Sequence, residues 1–355
     1  MRDSLPDGPQ VPLLKGSRIR RPFPLGQPLR IVLGYPVEER HVRQIAACAD
    51  HLEVIDAGQQ RIATELLEAD IFCGHAKVPV DWESVVGRGR LRWIQSSAAG
   101  LDHCLVPPVI DSEIVVSSAS GLFANQVAEQ TLALVAAWTR RLPVFFRAQQ
   151  SKVFERLPTG DLRGQTVGIV GFGGNGRRIA ELLAPWQVRL LATDVFPVNK
   201  PDYVEAIWPA DDLPRLLADS NVLILCVPLN DATRGMISAD QFTQMNRDAL
   251  LVNVARGPIV CEADLIAVLS SGQLAGAALD VVETEPLASE SPLWDMPNVI
   301  ITPHVGAQSA SRYADMTDFF CRNLKRFIAG EELWNRVDKH LGFPTPHVRW
   351  SPFSG

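Results

Sequence analysis

The sequence predicts an α/β fold of two doubly wound parallel sheets, on three observations. At 355 residues the chain is longer than one hydrophobic core usually spans, so two domains are expected. Short apolar runs alternate with segments of helical periodicity along most of the chain, the pattern of parallel strands joined by crossover helices. Residues 164–194 carry a glycine-rich turn between a strand and a helix, whereas the upstream region has the same alternation without such a turn.

Taken in order, residues 1–27 hold Pro6, Pro9, Pro12, Pro22 and Pro24 and the basic residues Arg18, Arg20 and Arg21, and they read as an irregular leader. Strands are expected at 29–35, 52–56, 69–73, 91–96 and 114–118, with helices at 37–48 and 60–68; this half is flavodoxin-like. Residues 122–142 are apolar over most of a helix surface, which suits a helix buried on several sides, linking two domains and meeting a partner subunit. A polar connector at 150–162 contains Pro158 and Gly160. The second half is expected to hold six strands, Thr166–Val170, Val188–Ala192, 221–227, 249–254, 275–282 and 298–302, in a Rossmann-like sheet with helices at 211–218, 238–245 and 261–271. A long helix at about 308–329 follows. The expected division is a first domain of 28–118 plus 305–340 and a second of 119–304, with a tail at 341–355 to which the sequence assigns no function.

The glycine turn has a physical reading. An apolar strand meets Gly171-Phe-Gly173-Gly174-Asn175-Gly176, a helix follows, and a second apolar strand ends at Asp194. Gly171 permits the tight turn, Gly173 lets the backbone approach a pyrophosphate, and Gly176 lets the helix lie against the strand. The helix N-terminus, with Gly174 and Asn175 in its first turn, offers free N–H groups to the anion. Asp194, eighteen positions after Gly176, is placed to accept the hydrogen bonds of an adenosine ribose. A carboxylate there repels a 2′-phosphate, so the turn favours NAD over NADP, with Lys200 as the nearby charge that softens the preference.

Composition narrows the function classes. Hydrophobic residues at 46% and charged residues at 21% describe an ordinary globular protein, and a net charge of −6 gives no basic footprint for nucleic acid. Six cysteines (Cys48, Cys73, Cys104, Cys226, Cys261 and Cys321) lie scattered, with no metal-ligand spacing, and read as thiols of a reducing compartment. No cleavable signal and no apolar run of membrane-spanning length stands out, so a cytoplasmic protein without a membrane or nucleic-acid partner is expected.

Four polar residues stand at the carboxyl ends of expected strands of the second sheet, where an open parallel sheet binds its ligands. They are Arg256 after LLVNVA, Asp280 after AGAAL, Glu285 after VVET and His304 after VIITP. With the glycine turn, the segments VNVARGPIV, GAALDVVETEPL, PLW and PNVIITPHVGA resemble the D-isomer-specific 2-hydroxyacid dehydrogenases over about residues 29–340. The resemblance implies a two-domain enzyme that interconverts a small 2-keto acid and its D-2-hydroxy acid in the interdomain cleft. Arg256 would hold the substrate carboxylate, for which a planar guanidinium is suited. His304 would give and take the proton, with Glu285 orienting its imidazole. The loop IQSSAAGLDH would offer the backbone N–H groups of Ala99 and Gly100 to the carboxylate. Asp280 would stand near the nicotinamide carboxamide; Val227, Pro228, Val254, Ala255 and Gly306 would line the dinucleotide groove, with Thr131 of the linking helix as a further contact. The family also implies a homodimer built on the segment near 122–150.

Two rival readings remain at this level: an NAD(H)-sensing, corepressor-like binding protein with little turnover, and 3-phosphoglycerate as the substrate. Nothing strongly basic near Ala99 suggests a phosphate pocket, which points instead to glyoxylate or hydroxypyruvate. His75 and His103 each follow a strand and read as structural. Asn230 stands where many relatives carry Thr, and Phe154 where Trp is frequent.

Overall fold

Two separate parallel sheets organise the computed structural model, which describes residues 28–196 and 198–348. The expected leader at 1–27 and the last residues of the expected tail lie outside the described residues. The first half runs β1 (Leu29–Gly34), α1 (Glu39–Ala46), β2 (Leu52–Asp56), α2 (Ile62–Glu65), β3 (Ile71–Gly74), α3 (Trp82–Gly87), β4 (Trp93–Ser96), α4 (Pro107–Ile110) and β5 (Val115–Ser117). Its strands pair in the order β2-β1-β3-β4-β5, all parallel. The central strands of a parallel sheet are covered on both faces, so β1, β3 and β4 are mostly apolar and alternate in which layer they feed, while the edge strand β2 carries Glu53 and Asp56. Val32, Phe72 and Ile94 pack with Ile62, Trp82 and Val109 on one face. Ile31, Leu33, Cys73 and Trp93 point to the other, where the late helix α11 (Arg312–Ala329) supplies Phe319, Phe320, Leu324 and Phe327. Trp93 lies against Phe320 and Phe327 at ring separations of 5.3 and 5.0 Å, so the carboxyl-terminal helix belongs to the amino-terminal sheet.

Between the sheets run α5 (Ala124–Thr139) and α6 (Leu142–Gln150), the latter with none of its residues buried. The second half runs β6 (Thr166–Val170), α7 (Gly174–Leu183), β7 (Arg189–Asp194), β8 (Ala206–Pro209), α8 (Leu213–Asp219), β9 (Val222–Leu225), α9 (Ala239–Gln244), β10 (Leu250–Asn253), α10 (Glu262–Ser271), β11 (Gly276–Leu279) and β12 (Val299–Ile301). Seven parallel strands stand in the order β12-β11-β10-β9-β6-β7-β8. The sequence predicts six. The strand it omits, β8, is a four-residue edge strand that ends in Pro209, and proline is tolerated there because one side of an edge needs no donor. The expected helix at 60–68 is also shorter, α2 giving way to a 3-10 turn at Leu66–Glu68.

After α11 the chain forms an antiparallel hairpin, β13 (Val337–Asp338) and β14 (Phe343–Pro344). Val337 and Val348 are buried, so the segment expected to begin an unassigned tail at 341 is packed structure through 348.

Candidate active site

The glycine turn folds as its residues require. Gly171 adopts φ +91°, a region L side chains rarely enter, and a Cβ on Gly176 would meet the Gly171 carbonyl oxygen at 2.2 Å. The turn therefore brings β6 directly onto α7, whose first N–H groups, at Gly174 and Asn175 beyond the Gly173 N-cap, have no intrahelical acceptor. At the end of β7 the Asp194 carboxylate accepts from Phe172 N at 2.8 Å and Phe196 N at 2.9 Å, one bond to each oxygen. Each oxygen keeps lone pairs for a ribose diol. Val227 closes the far side, its side chain 2.9 Å from where a Cβ of Gly171 would stand, and Pro228 and Val254 continue the wall half-buried. An anion cradle, a fixed ribose acceptor and an apolar wall together fit a dinucleotide.

Arg256 leaves the end of β10 on a turn fixed by Asn253. This asparagine, 1% exposed, donates from Nδ2 to the Arg256 carbonyl at 3.1 Å and accepts from Ala255 N at 3.1 Å. Asn253 was not among the expected site residues; its signal in the sequence is a polar side chain at the end of an apolar strand. The Arg256 guanidinium donates to the Ala255 carbonyl at 2.8 Å and lies 3.4 Å from Asp102. It also lies against Gly100, where an added Cβ would stand 1.9 Å from Nη2. Thus the arginine of one sheet and the loop of the other meet at one point. Among the described residues, neither the Ala99 nor the Gly100 N–H donates to a protein acceptor, which leaves both for an anion beside Arg256.

His304 stands after β12 with φ +54°, a strained conformation held by its neighbours. Its N–H lies 2.8 Å from the Asp280 carbonyl. The Asp280 carboxylate, 3% exposed, accepts from Thr302 Oγ1 at 2.6 Å, Val305 N at 3.0 Å and Gly306 N at 2.8 Å. Asp280 and Gly306 therefore brace the loop that carries the imidazole. His304 Nδ1 lies 2.8 Å from Glu285 Oε2, and with that nitrogen engaged Nε2 is left for a substrate. Burial pushes the Glu285 carboxyl up, but its bond to His304, the imidazole's charge and the Arg256 charge outweigh this and hold it below its ordinary value.

Thr131 is not brought to the groove: it is fully buried, and its hydroxyl donates to the Val127 carbonyl within α5. His75 and His103, by contrast, are brought to the site. Their ring centroids lie 4.0 Å apart with the planes tilted by 43°, and the charges of Asp102 and Arg256 act on both. Burial lowers His75 to about 4 and His103 to about 3, so both imidazoles are neutral near pH 7. The Asp102 carboxyl is pushed up by burial but held below its usual range chiefly by Arg256.

The model of the D-isomer-specific 2-hydroxyacid dehydrogenase NAD-binding domain matches residues 132–306. A glyoxylate reductase from Thermofilum pendens is 32% identical over 261 residues, 71% of this chain and 76% of the relative. Glyoxylate/hydroxypyruvate reductase A from Citrobacter koseri is 33% identical over 270 residues, 74% of this chain and 84% of the relative. Among solved structures, an NADPH-dependent glyoxylate/hydroxypyruvate reductase from Sinorhizobium meliloti in complex with NADP and sulfate aligns with a TM-score of 0.76 at 27% identity, covering 88% of this chain and 99% of that one. The chain belongs to the D-isomer-specific 2-hydroxyacid dehydrogenase family.

Proposed function

We propose that the protein reduces a small 2-keto acid, glyoxylate or hydroxypyruvate, to the corresponding hydroxy acid (the D isomer where C2 becomes chiral) in the cleft between a domain of 28–118 plus the returning helix and a domain of 119–304. The observation behind this reading is the convergence of the Arg256 guanidinium, the Gly100 loop and the His304–Glu285 pair, at the carboxyl ends of the strands of the sheet that carries the glycine turn. The reaction needs a hydride at C2, a proton at the carbonyl oxygen and a hold on the carboxylate. A reduced nicotinamide, when bound at the glycine turn, supplies the hydride. Arg256 and the Ala99 and Gly100 N–H groups hold the carboxylate, fixing the carbonyl carbon relative to the groove. His304 gives its Nε2 proton to the forming alkoxide, and Glu285 stabilises the imidazolium before transfer. In the reverse direction the same imidazole accepts the proton.

The surroundings of Arg256 support a small, uncharged substituent on the substrate. Two imidazoles kept neutral by burial add no positive charge on that side, and the Asp102 carboxylate there disfavours a phosphate. For the cofactor, Asp194 supports NADH over NADPH. The neighbouring cations are already engaged, Arg177 donating to the Asn199 carbonyl at 3.0 Å and Lys200 to the Val204 carbonyl at 2.8 Å. This chain would then differ from the Sinorhizobium enzyme, which is NADPH-dependent.

The apolar surface around α6, where Leu142, Phe146, Val153 and Phe154 are exposed, the last completely, supports a homodimer. Six free cysteines support a reducing compartment such as the cytoplasm. Among the described residues no helix is long and apolar enough to cross a membrane.

The test is oxidation of NADH and NADPH against glyoxylate, hydroxypyruvate, pyruvate and phosphohydroxypyruvate. The expected result is turnover of one of the first two, faster with NADH at limiting cofactor. Preference for the phosphorylated acid, or for NADPH, would overturn the corresponding part of the reading.

A further inference from the structure

The carboxyl-terminal hairpin is rooted on one sheet and ends on the other. Its base is held by the first sheet: Ser118 N donates to the Asn335 carbonyl at 3.1 Å, Asn335 Nδ2 donates to the Ser120 carbonyl at 2.8 Å, and Lys339 Nζ donates to the Val109 carbonyl at 3.0 Å. Its tip crosses to the second sheet. There the Leu341 carbonyl accepts from Asn230 Nδ2 at 3.1 Å, in the loop after β9. The Phe343 ring meets Phe196 edge-on at 5.9 Å, in the loop after β7.

These two loops flank the glycine turn, because β9 and β7 are the two neighbours of β6. The Phe196 N–H is one of the two that bind the Asp194 carboxylate. A ribose held by Asp194 carries its adenine one glycosidic bond away, outside the ends of β7 and β9 and hence under the hairpin. The adenine there needs an apolar face, and Phe196 and Phe343, each only half-buried, offer two. Near them stands Asn230, the residue at which the loop departs from the threonine of many relatives, and its amide is what holds the hairpin tip.

We propose that the hairpin at 337–344 is a lid on the adenosine half of the dinucleotide, with Phe343 packing on the adenine and the Asn230–Leu341 bond as its latch. The proposal rests on the reading of the glycine turn as a dinucleotide site. Because the lid is rooted on the substrate-side sheet, occupancy of the adenosine pocket also ties the two sheets together across the cleft. A cofactor thereby favours the closed arrangement in which Arg256 meets Gly100.

The experiment is calorimetric titration of the full chain with NADH, ADP-ribose and reduced nicotinamide mononucleotide, in wild type, Phe343→Ala, Phe343→Leu and Asn230→Ala, with thermal melting as the control of folding. Phe343→Ala is expected to weaken NADH and ADP-ribose about tenfold, the scale of one lost base–aromatic contact, and to leave the mononucleotide unchanged. Asn230→Ala weakens the same two ligands by less. Phe343→Leu keeps apolar bulk and serves if the alanine variant melts early; it should retain part of the loss. Unchanged NADH and ADP-ribose affinity in both Phe343 variants, or equal weakening of the mononucleotide, would overturn the lid while leaving the dinucleotide site standing. A wild-type chain that bound neither NADH nor ADP-ribose would overturn the site and the lid together.

Discussion

Gly100→Ala probes the meeting point of the two sheets with a single methyl group. The added Cβ would stand 1.9 Å from Arg256 Nη2, 2.6 Å from its Cζ and 2.8 Å from its Nε. The glycine has no positive φ, so its backbone accepts alanine, and the atoms struck belong to the far end of a flexible side chain. The guanidinium therefore moves and the fold stays. Opening the closest contact from 1.9 Å to the 3.0 Å below which real Cβ contacts essentially never fall displaces the guanidinium by about 1.1 Å. A misplacement of about 1 Å in a group that positions a substrate costs on the order of 10²-fold, about 2.7 kcal/mol of transition-state stabilisation. The assay is steady-state reduction of the preferred 2-keto acid, with NADH affinity and melting temperature measured alongside. A drop of about 10² in kcat/KM is expected with the other two unchanged, since Asp194 and the glycine turn are untouched. Full kcat/KM in a folded Gly100→Ala protein would refute the placement of the substrate carboxylate at Arg256.

Two further predictions concern the cofactor and the buried imidazoles. Asp194→Ala removes a charged acceptor from the ribose, so NADH should bind about 10- to 100-fold more weakly, NADPH should change less, and the ratio of their dissociation constants should narrow; fluorescence titration with both cofactors decides, and an unchanged ratio would remove Asp194 from the ribose site. His75 and His103 titrate below the ordinary histidine value because burial disfavours their charge, to about 4 and about 3. The unfolded chain then binds more protons than the folded one below pH about 6.5. Their contribution to stability is complete above that pH and is lost as pH falls toward 4 for His75 and 3 for His103, each by at most about 1.4 kcal/mol per pH unit. Melting temperatures between pH 7 and 5 should therefore fall less steeply in His103→Phe than in wild type; parallel curves would contradict the buried, neutral pair.

What was legible in the chain was what local spacing encodes. The glycine turn announces itself because Gly171 must reach φ +91° and Gly176 must touch the Gly171 carbonyl, demands only glycine meets. Both parallel sheets follow from apolar runs at regular intervals, since their central strands, such as β6 and β9, are buried on both faces. The edge strand β8 was not legible: it is four residues long, ends in proline and pairs only with β7. Nor was the hairpin, whose order comes from single side chains such as Asn335 and Lys339 reaching backbone carbonyls far away in sequence. His75 and His103 illustrate the same limit. They meet because β3 and β4 are neighbours with Gly74 beside Ser96, a register that exists only once the sheet is ordered. Thr131 marks a different limit, since sequence spacing cannot tell that its hydroxyl bonds to the Val127 carbonyl within the helix.

If His304, oriented by Glu285, gives the proton that completes reduction of a 2-keto acid held by Arg256, its removal must stop turnover without loosening the cofactor. The measurement that tests it most directly is kcat for glyoxylate or hydroxypyruvate with saturating NADH in wild type and His304→Ala, with NADH affinity measured in both. The expected result is turnover by the wild type and a loss of about 10²- to 10⁴-fold in the variant at unchanged NADH affinity. Comparable kcat in the two proteins would contradict the assignment of His304, and a wild type that binds NADH yet reduces neither acid would favour a binding protein.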